Sequence, residues 1–415
     1  MSRTKIIVIG GGASGLIAAG QAALQGGRVV VLEKMKQPGR KLCITGKGRC
    51  NLTNIAEISD FISHFGPSGK FLRQAFNRFF NTDTMAFFNE LGLELVTERG
   101  GRVFPAGGNA FEVRNVLVRW LEQCNVQIRE SSAVTALQVS GGRITGVCCH
   151  DRILECEAVI LATGGASYPA TGSTGDGYNL AASVGHTIVS VRPALVPLET
   201  AGKAAAGMSG LNLRNCRVKL YINGKKIKEA FGEMTFTDFG VTGPVILTLS
   251  GYAVDALQRG DAVTLAVDLK PALDDKKLDN RLCRDFETRG KEQLDNVLRG
   301  LLPREMISIC LEQTNIAPDR NAGSVPARER KRLHAWLKDF RLTVTGYRPF
   351  AEAIITAGGV DIREIEPRTM ESRLVKGLFI AGELLDLQAD TGGYNLQAAF
   401  STGWLAGRSA AGTVS

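Results

Sequence analysis

Positions 6–9 read IIVI and run directly into three glycines, positions 14–25 are rich in alanine and leucine, and positions 28–32 read RVVVL. A short apolar run bounded by glycine fits a buried parallel strand, and the segment between the two runs fits a helix, so the chain opens on a βαβ unit. Segments 83–92 and 112–123 set Phe87, Phe88 and Leu91, then Val113, Val116, Leu117 and Trp120, at the spacing of amphipathic helices. Strands are expected over 126–128, 133–139 and 143–149, the last two joined as a hairpin through Ser140-Gly141-Gly142, and over 158–162. Beyond about residue 190 the texture changes. Alternation over 217–222 and the turn Asn223-Gly224 predict an antiparallel, β-rich segment to about 275. Residues 276–345 read as helical and charged. Strand-and-glycine texture then returns, with an apolar run at 378–381 and an alanine-rich final helix from 392 to about 405. The simplest architecture is α/β: one discontinuous domain made of 1–190 and 346–415, interrupted by a β-rich domain (191–275) and a helical segment (276–345).

A length of 415 residues supports two or three domains, and 44% hydrophobic with 22% charged residues is ordinary for a globular chain. The formal charge of +9 favours anionic ligands in a general way. Its basic residues are spread out, however, and the densest run, Arg328 to Arg332, contains Glu329 and fits a solvated helix face, so nucleic acid is not the first expectation. Nine cysteines with no CxxC argue against a disulfide scaffold and for a reducing, cytoplasmic setting. The first apolar run is too short for a signal peptide or a membrane span. His64, His150, His186 and His334 fall in no metal-spaced motif, so no metal site is expected, and each reads as surface or satisfied core.

Gly10, Gly12 and Gly15 satisfy G-x-G-x-x-G between the first strand and the first helix. The three glycines serve a tight turn, room for a pyrophosphate, and close helix–strand packing, while the helix directs free N–H groups at the phosphates. Glu33 closes the next strand, where a carboxylate accepts hydrogen bonds from a ribose diol and disfavours a 2′-phosphate. This much fits FAD and NAD equally.

Two more glycine clusters follow apolar strands. Thr163-Gly164-Gly165 leads to GSTGDG at 172–177 and a helix to about 184, with Asp176 as a candidate contact or as a structural turn acid. Gly382-Glu383 leads to Gly392-Gly393 at the start of the final helix, whose dipole could stabilise charge on a reduced flavin. The stretch GRKLCITGKGRCNLTN at 39–54 admits three readings: a nucleic-acid patch, a redox disulfide, or a wrap around a phosphorylated cofactor. Arg40 and Lys41 can offset phosphate charge, and Gly46 and Gly48 can bring backbone donors close. Cys43 and Cys50 are separated by six residues, whereas disulfide-type flavin reductases place four between theirs, so both read as small buried thiols.

Taken in order, GGGASG (10–15), GRKLCITGKGRCN (39–51), ATGG (162–165), GSTGDGY (172–178), FTDFGVTGP (236–244), AGELLD (381–386) and GGYNLQ (392–397) span nearly the whole chain. In these motifs the chain resembles the bacterial family of BaiN-like and aminoacetone oxidase-like FAD-dependent oxidoreductases. The resemblance implies a Rossmann-like FAD-binding domain carrying β-rich and helical insertions. It places Gly10, Gly12, Ala13, Ser14 and Gly15 at the pyrophosphate and Glu33 at the adenosine ribose. Lys34, Arg40, Lys41 and the loop Gly46, Gly48, Arg49, Cys50 and Asn51 run along FAD, with Val134, Thr163, Gly164 and Gly165 beside it. Gly382 and Glu383 come near the ribityl chain and the phosphate, and Gly393, Asn395 and Leu396 near the flavin. Asp238 stands where relatives are expected to carry histidine. Cys50, Asp176 and Asp238 are the candidates for a catalytic role.

The expected function is FAD-dependent redox chemistry on a small organic substrate. No second dinucleotide fingerprint is evident, so NAD(P)H as reductant would dock transiently. An oxidase passing electrons to oxygen, a flavoprotein acting on RNA, and a protein using FAD structurally are the alternatives. The sequence assigns no oligomeric state.

Overall fold

The computed structural model describes residues 5–412, which divide into two compact units: residues up to 193 together with those from 350, and residues 194–349. The first unit begins with strand β1 (Lys5–Ile9), helix α1 (Ala13–Leu24) and strand β2 (Arg28–Leu32). Helix α2 (Arg40–Gly48) follows, with non-helical backbone at Thr45, Gly46 and Lys47. Helix α3 (Ala110–Gln123), strand β3 (Gln127–Arg129), strand β4 (Ala158–Leu161) and helix α4 (Asp176–Ser183) lead to the second unit. That unit contains β5 (Leu198–Thr200), β6 (Asn212–Ile222), β7 (Lys225–Phe236), β8 (Gly240–Thr242), helix α5 (Pro244–Gln258), β9 (Val263–Asp268), four α-helices between Asp275 and Lys338, and β10 (Phe340–Tyr347). The chain then completes the first unit with β11 (Leu378–Ile380) and helix α6 (Tyr394–Gly412).

In the first unit five strands pair in the order β11-β4-β1-β2-β3, all parallel. Val8, Val31 and Ile160 are wholly buried, as strands covered on both faces require. Helices α1 and α6 lie so close that a methyl group at Gly403 or Gly407 would collide with the carbonyl oxygens of Ser14 and Ala18. Trp120 of α3 fills the space left by the missing side chain of Gly20. The long C-terminal helix is thereby clamped to the helix of the dinucleotide motif.

The second unit holds a closed barrel in the order β5-β8-β7-β6-β9-β10. Phe236 and Phe340 meet inside its core at 6.4 Å between ring centroids, and Trp336 packs on Phe340 at 4.9 Å. Two features depart from the sequence texture. Helix α5 lies inside the stretch expected to be β-rich: Val245, Ile246, Leu249, Ala253 and Val254 recur at helical spacing and are buried, behind a proline at the first turn. The charged segment stops being helical at Lys338, and Phe340, Leu342 and Val344 alternate inward as a barrel strand.

Candidate functional site

The groove of the first unit opens at the carboxyl ends of β1, β2 and β4, where the strand order turns outward on both sides of β1. Ligands of open α/β sheets bind at such a point. Gly10 adopts φ +100°, and a side chain there would come within 2.6 Å of the Ala162 carbonyl oxygen. A methyl at Gly15 would overlap the Gly10 carbonyl oxygen. Gly12, at the N-cap of α1, is different: a methyl there meets nothing of the protein. The first turn of α1 has no capping side chain and no acidic residue, so its N–H groups face the groove unsatisfied by the chain. Two of the three glycines are therefore required by packing, and the third leaves space for a ligand.

Glu33 is only 9% exposed and lines the groove. Its carboxylate accepts from the backbone N–H of Gly11 and of Met35, both at 2.8 Å. Burial raises its pKa above the usual carboxylate value against the pull of these two bonds. Each oxygen retains a further lone pair for a hydroxyl donor. Lys34 reaches across to Asp176 at 2.8 Å and to the Thr174 hydroxyl at 2.6 Å. Asp176 thus stands at the start of α4 as an ion-pair partner on the groove wall. Arg40 donates to the Ala170 carbonyl at 3.2 Å, and Val134 and Thr163 line the same groove. The buried Thr163 hydroxyl has no hydrogen-bond partner within the chain.

Lys41 ion-pairs with Glu383 at 2.7 Å, and both touch the Ser167 hydroxyl, at 2.5 Å and 3.1 Å. Glu383 also accepts from the Thr356 backbone N–H at 2.8 Å, while the Thr356 hydroxyl accepts from the backbone of Ala166 at 2.8 Å. Ser167 and Thr356 belong to this network although the sequence reading did not single them out. Their only sequence signal is proximity to glycine-rich turns. Gly165 lies directly against the Thr356 side chain, and Gly382 stacks on Ser14.

The loop after α2 closes on the start of α6. The Asn51 amide, oriented to satisfy its neighbours, accepts from the Gly393 N–H at 2.9 Å and donates to the Thr53 carbonyl at 3.0 Å. Gly393 has φ +99°, and a side chain there would strike the Thr53 carbonyl. Asn395 is spent on the preceding turn: its side-chain oxygen accepts from the Ala389 N–H at 2.9 Å and its nitrogen donates to the Ala389 carbonyl at 3.0 Å. Leu396 is half-buried beside it. Arg49 pairs with Glu98 and lies over the Phe104 ring at 4.3 Å. Gly46 and Gly48 take positive φ in the loop, and Gly164 does so after β4.

Cys50 is fully buried, and burial pushes its thiol to about 12. A nucleophile must be a thiolate, so this environment opposes the catalytic role considered for it. Cys43 and Cys50 are both free thiols. At pH 8 the thiolate fraction of a group with that pKa is about one in 10⁴. Native protein treated with iodoacetamide at pH 8 is expected to show no label on Cys50 by peptide mass spectrometry, with labelling only after denaturation. Asp238 lies in the second unit, exposed between β7 and β8. His186 is buried between Glu364 at 2.9 Å and Ser372 at 2.8 Å, a satisfied core histidine. A cavity of about 650 Å³ opens among the helices of the second unit, beside Cys283, Arg289 and Arg330, and carries none of the residues of the dinucleotide motif. Among the described residues no cluster of three His, Cys, Asp or Glu is placed to hold a metal, and no helix is long and apolar enough to cross a membrane.

The model of the HI0933-like protein Rossmann domain matches residues 4–409. The chain belongs to the HI0933-like family. This family is the one its motifs resemble, and the protein is an FAD-dependent oxidoreductase with a Rossmann-like cofactor domain. It is 34% identical to a 3-dehydro-bile acid delta(4,6)-reductase of Clostridium scindens, over 98% of this chain and 99% of the relative. It is 30% identical to a ribosomal RNA dihydrouridine synthase of Escherichia coli, over 97% of each. Among solved structures, a 3-ketosteroid-delta4-(5alpha)-dehydrogenase from Rhodococcus jostii superposes with a TM-score of 0.52 at 13% identity, over 99% of this chain and 97% of that one, which establishes a shared fold. The groove of this HI0933-like protein fits FAD on its own evidence: an uncapped helix N-terminus, an open cradle at Gly12 and a buried carboxylate converge there.

Proposed function

We propose that this enzyme reduces a carbon–carbon double bond conjugated to a carbonyl in a small organic substrate, with NAD(P)H as the source of electrons. The observation that carries the reading is that two full-length relatives, on opposite kinds of substrate, bear names describing one reaction. A 3-oxo steroid with unsaturation at the 4-position and a uracil ring are both α,β-unsaturated carbonyls, and each name implies their saturation. The overall balance is NAD(P)H plus a proton plus C=C giving NAD(P)⁺ and CH–CH. FAD, when bound, supplies the hydride transfer between donor and acceptor.

The residues of the chain act on binding and orientation. Gly12 and the N–H groups of α1 would receive the diphosphate, and Glu33 would accept from the adenosine ribose diol. Lys34, Arg40 and Lys41 line the groove together with Val134 and Thr163, and Gly164 and Gly165 follow Thr163 in the chain. The Lys41–Glu383 pair fixes the chain beside Gly382. Asn51 holds Gly393 at the first turn of α6, where Gly393, Asn395 and the half-buried Leu396 would meet the ring end of the cofactor.

Anaerobic titration of the yellow protein with NADH and NADPH tests the reading. Rapid bleaching by one or both is expected, followed by recovery of colour when an enone is added, with gain of two hydrogens by the product on mass spectrometry. Absence of bleaching by either nucleotide, with turnover of an amine under oxygen and release of peroxide, would move the assignment to an oxidase.

A second reading takes a uracil base in RNA as the substrate. It is favoured by the distribution of charge: of the formal +9, residues 194–349 contribute +6, with 25 Lys and Arg against 19 Asp and Glu.

A further inference from the structure

We infer that the outer face of the β6–β7 ribbon in the second unit is a docking surface for single-stranded RNA. The inference rests on the second reading above. Between Glu199 and Glu229 the chain carries seven lysines and arginines and no acidic residue. Strand pairing gathers part of that charge on one face. Along β6, Cys216, Val218 and Leu220 are buried in the barrel, so the alternate residues Arg217, Lys219 and Tyr221 lie outward. The register sets Arg217 beside Phe231 of β7 and Lys219 beside Glu229. Phe231 is 61% exposed on this face, beside the Arg217 guanidinium. From β10, Arg341 reaches over the Tyr221 ring at 5.5 Å.

Cations spaced by two residues along a strand, about 7 Å apart, stand here beside the exposed Phe231 ring and the half-buried Tyr221 ring. That is the chemistry of single-strand recognition: cations follow the phosphates while bases stack on the rings. Of the acidic groups near the patch two are engaged, while Glu233, exposed two positions beyond Phe231, sets one edge of it. Glu229 is held by Lys226 at 2.5 Å, with its pKa lowered by Lys226 and by Arg217 and Lys219, and Asp268 beside Arg217 is held by Lys338 at 2.6 Å. Among the described residues no carboxylate lies within ion-pair distance of Arg217 or Lys219. An anionic membrane would also attract cations, but it calls for a contiguous apolar face, and here single rings stand among charges.

The test uses the full-length, FAD-loaded protein and a fluorescent, uridine-containing single-stranded oligoribonucleotide, read by anisotropy across a KCl series. The wild type is expected to bind with affinity that falls steeply with salt. Arg217→Glu with Lys219→Glu is expected to weaken binding at least tenfold and flatten the salt dependence. Phe231→Ala is expected to weaken it about fivefold or more with the salt slope unchanged. All variants should keep wild-type flavin absorbance and NAD(P)H bleaching, which reports that they are folded. Variants that bind as tightly as the wild type would overturn the surface and leave the RNA reading standing. Absence of RNA binding at any salt would overturn both. Stronger binding to phosphatidylserine vesicles than to RNA would replace this partner with a membrane.

Discussion

Gly12→Val should leave the melting temperature of the cofactor-free protein within a degree or two of wild type and yet abolish the yellow colour of the purified enzyme. Gly15→Val should do the opposite kind of damage and prevent folding. The contrast follows from what surrounds the two positions. A side chain at Gly12 meets no protein atom, and its backbone is extended at φ −86°, which any residue adopts. At Gly15 the first added carbon overlaps the Gly10 carbonyl, and α1 would have to leave β1. Overpacking that ordinary side chains can relieve costs about 1–3 kcal/mol, and a clash with the Gly10 backbone carbonyl, which cannot move aside, exceeds that range. If diphosphate sits over Gly12, a valine there should weaken FAD binding by well over tenfold, measured by flavin fluorescence on titrating the apoprotein. A Gly12→Val protein that retains stoichiometric FAD would remove the cofactor from this groove.

The second large effect is expected at the Lys41–Glu383 pair. These side chains are 19% and 21% exposed, and Glu383 accepts from Lys41, Ser167 and the Thr356 backbone. Removing one partner of a buried pair costs about 3–5 kcal/mol, and a site one-fifth open to water should lose about 2–3. Lys41→Met strands the carboxylate, and Glu383→Gln turns an acceptor of three bonds into a group that also presents N–H to a lysine. Each single variant should shift the urea midpoint strongly. The double variant should be less destabilised than the sum, since it leaves no unpaired charge behind. Strict additivity would show that the two groups act independently and that the network is not a unit.

Much of the cofactor domain is legible in the sequence because its determinants are local. The role of Gly15 is decided by Gly10 five residues before it, and apolar runs such as 28–32 declare strands buried on both faces. What is hidden depends on residues far apart in the chain. Lys41 meets Ser167 across 126 positions and Glu383 across 342, so nothing near Lys41 announces its partner. Lys34, read as a cofactor contact, is tied to Asp176 142 positions later, and Arg49 to Glu98. Helix α5 escapes because Pro-Val-Ile-Leu-Thr-Leu has β-forming composition, and only its burial on a helical period reveals it. Strand β10 is masked by the basic helix just before it, although Phe340, Leu342 and Val344 alternate clearly.

The first unit is written in two pieces, with 156 residues of the second unit between Pro193 and Phe350. On the ribosome, β1, α1 and β4 therefore emerge well before β11 and α6. Until α6 arrives, the glycine-bearing face of α1 and the open edge of β4 are uncovered, because their partners lie at the far end of the message. The barrel has all of its strands before that moment and can close first. Loading of FAD is consequently a late event in the life of each molecule, and a chain stalled after the barrel would be colourless, sticky and a natural client for chaperones.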